Sequence, residues 1–129
     1  MDANYLESKM TISYINFNIT FATRCNRKIF KNNEVKEMFN KECINICNTL
    51  GVTIKEILIF DYYVNIIMTS PPEYSANEII HKIKSHTSTV IRNEITELNK
   101  LPSLWTRKYL VSTEQNVSEE VLQNFINKL

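Results

Sequence analysis

The strongest constraint on this chain is the order in which its hydrophobic period changes. MTISYINFNITFA (10–22) alternates apolar and polar residues and is rich in β-branched and aromatic types, so it reads as a strand. After the basic turn TRCNRKIFK, the pattern shifts to threes and fours. Val35, Met38, Phe39, Cys43, Ile46, Cys47 and Leu50 form the buried stripe of a helix that Asn32 or Asn33 can cap. Gly51, the single glycine, stands where a helix end favours positive φ. VTIKEILIF returns to alternation and turns near Asp61 into a third strand, DYYVNIIMTS. Pro71-Pro72 ends that strand. A second helix follows from about Ser75, with Ile79, Ile80, Ile83, Val90 and Ile91 on its apolar face. A polar connection at 94–103 leads to a fourth strand, LWTRKYLVST (104–113). Asn116 with Glu119 then reads as a capping-box-like start for a last helix over 117–128.

Strand–helix–strand–strand–helix–strand–helix is two split βαβ units in series. It implies an α+β, ferredoxin-like fold: an antiparallel sheet with helices on one face, plus a C-terminal helix. One domain over 10–129 follows, with 1–9 as a flexible leader. Val64, Ile66 and Met68 belong on the helix side of the sheet, which puts Tyr63 and Asn65 on the face left open.

Composition narrows the function. One glycine in 129 residues leaves no Gly-rich phosphate loop. A net charge of +1 announces no global field for nucleic acid, so any such partner must be held by local clusters. Cys25, Cys43 and Cys47 are an odd number without framework spacing, which suits a reduced, cytoplasmic chain. Cys43 and Cys47 read as core thiols. The apolar run near 56–68 is broken by Asp61 and Asn65, so neither a membrane span nor a signal peptide is expected. His81 and His86 are five apart on one helix, roughly 140° round, and do not converge on one ion.

Three stretches carry a family resemblance: TRCNRKIF (23–30), TSPPEYSANEIIHKIK (69–84) and LWTRKYLVSTEQNVSEEVLQNFI (104–126). In this order the chain resembles TnpA, the small transposase of insertion sequences that move as single-stranded DNA. It also resembles the transposases associated with repeated palindromic elements. The resemblance implies a histidine–hydrophobe–histidine pair on the third strand that holds a divalent cation. It further implies a tyrosine nucleophile on the last helix and a glutamine one turn later that completes the metal shell.

This chain departs from that pattern at each position. Tyr63 and Asn65 stand in place of the histidines, Phe125 in place of the nucleophile and Leu129 in place of the glutamine. A phenol with a pKa near ~10 is a poor ligand, an amide oxygen a weak one, and Phe125 has no hydroxyl. No metal, no cofactor and no catalysis are therefore expected. What remains for nucleic acid is basic clustering: Arg24, Arg27 and Lys28 at the first turn, Lys82, Lys84 and Arg92 on the second helix, Arg107 and Lys108 on the fourth strand. Phosphate contacts need only positive charge and survive the loss of chemistry.

The reading is an inactive, transposase-derived homodimer that retains hairpin DNA or structured RNA. Two alternatives stay open. One is an interaction protein, either a scaffold or a dominant-negative partner of an active transposase. The other is a divergent strand transferase, with Tyr63 as a substitute nucleophile.

Overall fold

In the computed structural model, which describes residues 5–129, a four-stranded sheet carries two long helices on one face. The strands of the sheet are β3 (Ile15–Thr23), β4 (Thr53–Ile59), β5 (Tyr63–Ser70) and β6 (Trp105–Ser112). They lie in the order β4-β5-β3-β6, every neighbour antiparallel. The helices are α1 (Asn33–Leu50), α2 (Ala76–Glu94) and α3 (Glu119–Asn127). This is the α+β split-βαβ arrangement that the order of periods implies.

The sequence stripe of α1 maps onto its buried residues Val35, Phe39, Cys43, Cys47 and Leu50. Asn32 caps it, its side chain accepting from the Glu34 amide, and Gly51 ends it at φ 73°. Ser75 and Glu78 form a reciprocal capping box at the start of α2. Between sheet and helices, Phe21, Phe30, Phe39 and Trp105 pack as one cluster, with Phe21 and Trp105 edge to face at 4.7 Å. Each such contact adds about 0.5–1.5 kcal/mol beyond simple burial.

Three local features differ from the sequence reading. The first strand is interrupted. Ile12–Ser13 (β2) pairs with Leu6–Glu7 (β1) as a separate two-stranded ribbon, closed by Ser8 and Thr11 through hydroxyl and backbone hydrogen bonds. These local side-chain bonds make a turn where hydrophobic period gives no signal. The cap of α3 is Ser118 rather than Asn116: its hydroxyl accepts from the Val121 amide, and Glu119 is the first helical residue.

The third difference concerns the far side of the sheet. Asn18, Thr20 and Ala22 point away from α1 and α2, yet Thr20 and Ala22 are fully buried. Asn18 donates to the Gln115 carbonyl, Glu119 acts electrostatically on Tyr63, and Phe125 is buried apart from the helix-side core. Together these put α3 on the face expected to be open. Of the apolar face of the last helix, Phe125 is buried within its own chain, while Val121 stays exposed.

Candidate functional site

Alternation along β5 decides what its side chains can do. Val64, Ile66 and Met68 are fully buried in the core, so Tyr63 and Asn65 share the opposite face. Asn65 pairs in register with Thr20 of β3, and Tyr63 with Ala22.

Asn65 is thoroughly engaged. Its Nδ2 donates to Asn18 Oδ1 at 2.6 Å and to Thr20 Oγ1 at 2.9 Å, with a longer bond to the Ile19 carbonyl at 3.3 Å. Asn18 passes the connection on, its own Nδ2 donating to the Gln115 carbonyl at 2.9 Å. This polar chain runs from β5 through β3 to the segment that launches α3. Thr69 continues the row by donating to Asn16 Oδ1 at 2.7 Å. Asn18 and Thr20 are the residues that sequence reasoning passed over. The visible signal was the alternation of Asn16, Asn18 and Thr20 with Ile15, Phe17, Ile19 and Phe21, a polar row on one face of a strand.

Tyr63 stacks on Phe60, ring centroids 4.5 Å apart and nearly parallel, with Tyr62 edge-on at 5.3 Å. Burial, then the neighbouring Tyr62 and Glu119, push its phenol above the ordinary tyrosine value. Phe125 lies buried in α3, and Leu129 is half-buried just beyond the helix end.

The basic residues fall into separate groups. Arg24, Arg27 and Lys28 are exposed in the turn after β3, which contains two left-handed residues, Cys25 (φ 59°) and Asn26 (φ 52°). Backbone bonds pin that turn: Thr23 N–H donates to the Tyr62 carbonyl at 2.8 Å and Arg24 N–H to the Leu104 carbonyl at 2.9 Å. It therefore stands beside Tyr63 at one end of the sheet. Lys84, Arg92 and Arg107 meet in a cleft between α2 and β6. Lys82 is exposed on α2, and Lys108 is exposed on β6, where alternation turns it away from Arg107. His81 borders the cleft, whereas His86 pairs with Glu42 of α1 at 3.0 Å. Cys43 and Cys47 are fully buried, and the Cys43 thiol is pushed up by its hydrogen bond with Cys47 and by burial.

The result is a split-βαβ sandwich whose third sheet strand faces a terminal helix across a polar row. The sequence model of the family described as "Transposase IS200 like" matches residues 11–129, and the chain belongs to that family. A search of curated proteins returns no match. Among solved structures, a transposase candidate from Deinococcus radiodurans R1 superposes with a TM-score of 0.81 at 17% identity, covering 95% of this chain and 96% of that one. A REP-associated tyrosine transposase bound to a REP hairpin superposes at 0.61 and 13% identity, covering 92% of this chain and 68% of that one. At such identities the two structures speak for the fold. Among the described residues, no helix is long and apolar enough to cross a membrane.

Proposed function

We propose that this transposase-family chain is catalytically inactive and serves as a dimeric, cytoplasmic binding module for structured single-stranded nucleic acid. The observation that carries the reading is the employment of Asn65. Its amide is spent as a donor to Asn18 and Thr20, and those bonds hold the sheet to the segment before α3. A divalent cation needs lone pairs aimed at it. This position instead offers a neutral amide oxygen, a weak ligand on a side chain anchored through its nitrogen, and a stacked phenol whose burial favours the protonated form. The donor set does not suit the metal that the family chemistry requires, and Phe125 cannot attack phosphorus. No step of strand transfer is assigned to these residues.

Binding rests on a different set of groups. Among the described residues, Arg24, Arg27, Lys28, Lys82, Lys84, Arg92, Arg107 and Lys108 have no carboxylate within 4.0 Å, and the ion pair is Glu42–His86. Their charge is free to meet phosphates. The related REP-associated transposase was solved with a hairpin, which makes hairpin DNA the first ligand to try. A dimer is supported by the edge position of β6 and by exposed Val111 and Val121, which border a groove between β6 and the segment leading into α3.

The test is a hairpin-DNA titration at several salt concentrations, beside Mn²⁺ calorimetry and sedimentation. The expected result is salt-sensitive binding by a dimer, with no Mn²⁺ site that depends on Asn65. A micromolar Mn²⁺ site lost in Asn65→Ala would overturn the inactive reading, and a monomer at micromolar concentration would overturn the dimer.

A further inference from the structure

The cleft between α2 and the first half of β6 has a volume of about 270 Å³ and opens on the helix side of the sheet, across from Asn65. Lys84, Arg92 and Arg107 line it, with His81 at its border, and no carboxylate does. Two of the three cations are held by the backbone. Arg92 donates from Nε to the Ser88 carbonyl at 3.2 Å and from Nη1 to the carbonyls of Leu101 at 2.9 Å and Pro102 at 3.2 Å. A guanidinium has five N–H donors, so the pair on Nη2 is left without a partner among the described residues. Lys84 is half-buried, donates to the Thr106 carbonyl, and has the rings of Phe21 and Tyr109 about 6 Å from its nitrogen (5.9 and 6.0 Å). Its other ammonium hydrogens have no hydrogen-bond acceptor among the described residues either. Arg107 is exposed and makes no ion pair.

We propose that this cleft is a phosphate-binding site, separate from the polar row under α3, and that the phosphate it takes belongs to a nucleic-acid backbone. That last choice rests on the proposed function; the site itself does not. Three converging cations leave an unbalanced charge in a concave place, and a tetrahedral anion neutralises it through the uncommitted N–H groups. Hydroxyls of Ser85 and Thr89 on the α2 wall supply further donors. The cleft reads charge rather than bases. Its one indole, Trp105, is 3% exposed and turns its N–H inward to Thr87 Oγ1 at 3.1 Å, so this ring offers no face on which a base can stack.

Two arms test this with the intact protein. In the first, inorganic phosphate is titrated while backbone amide shifts are followed. Saturable shifts at Ser85, Ser88, Thr106 and Arg107 are expected, and they should vanish in Arg107→Glu. In the second, a hairpin oligonucleotide is bound by the parent and by Arg107→Glu, whose exposed position spares the fold. The salt slope should fall by about one phosphate's worth, ~0.9, and low-salt affinity by roughly tenfold or more. Phosphate shifts in the cleft without oligonucleotide binding would support the site and remove the nucleic-acid reading. Oligonucleotide binding with an unchanged slope in Arg107→Glu, or no phosphate shifts in the cleft, would overturn the proposal.

Discussion

Replacing Asn65 with alanine removes the centre of the polar row and tests whether that row fastens the last helix. Asn18 and Thr20 are 4% and 1% exposed, so neither can turn to water when its donor is lost. Each buried acceptor left without its partner costs about 1–3 kcal/mol, offset in part because the Thr20 hydroxyl can rotate. We expect Asn65→Ala to lose about 2–4 kcal/mol in urea unfolding at unchanged m-value. The loss should be local as well as global. Asn18 is held by Asn65 on one side and grips the Gln115 carbonyl on the other. Amides of 115–125 should therefore exchange faster than those of α1. Adding Thr20→Val to Asn65→Ala should recover about 1 kcal/mol, since it removes one of the stranded acceptors. A loss under about 0.5 kcal/mol, with exchange at 115–125 unaltered, would refute the reasoning.

Three further outcomes follow from the same structure. Phe125→Ala should cost about 3–5 kcal/mol in denaturant unfolding, because Phe125 is 6% exposed in a helix that is otherwise lightly buried. Gly51→Ala should cost about 1–2 kcal/mol by thermal melting: φ is 73°, and the nearest atom to an added Cβ is 3.9 Å away, so backbone strain rather than crowding sets the loss. The hydrogen bond from His86 holds the Glu42 carboxyl below its ordinary value of 4.5. That contribution is complete above pH 4.5 and disappears as pH falls through the lower folded-state value. Glu42→Gln should flatten the acid side of the urea-midpoint profile below pH 4.5 and leave its neutral region less affected.

Periodicity made most of the fold legible. The α1 stripe, the Asn32 cap and the left-handed Gly51 are all local consequences of residue type, and each appears where the pattern sets it. The β5 faces were legible for the same reason, since a period of two leaves no freedom once Val64, Ile66 and Met68 are core. Side-chain hydrogen bonding was less visible. Ser8 and Thr11 build the turn of a ribbon with no apolar pattern, and Ser118 rather than Asn116 has the backbone geometry to cap α3.

The covering of the far face by α3 was hidden because it depends on contacts between residues distant in sequence, such as Asn18 with Gln115. Likewise, the meeting of Lys84, Arg92 and Arg107 requires α2 to lie along β6. Sequence marked these three as basic and as candidates for phosphate. Their grouping in one cleft, away from Arg24, Arg27 and Lys28, belongs to the tertiary structure.

The central claim is that Tyr63, Asn65, Phe125 and Leu129 no longer form a strand-transfer centre. Its most direct test is covalent capture: protein and hairpin oligonucleotides with single-stranded flanks are incubated with Mn²⁺ and resolved on denaturing gels. No protein–DNA adduct and no strand cleavage are expected at any metal concentration, even where the native protein shifts the same oligonucleotide. A metal-dependent adduct, and above all one abolished by Tyr63→Phe, would contradict the account and identify an active strand transferase.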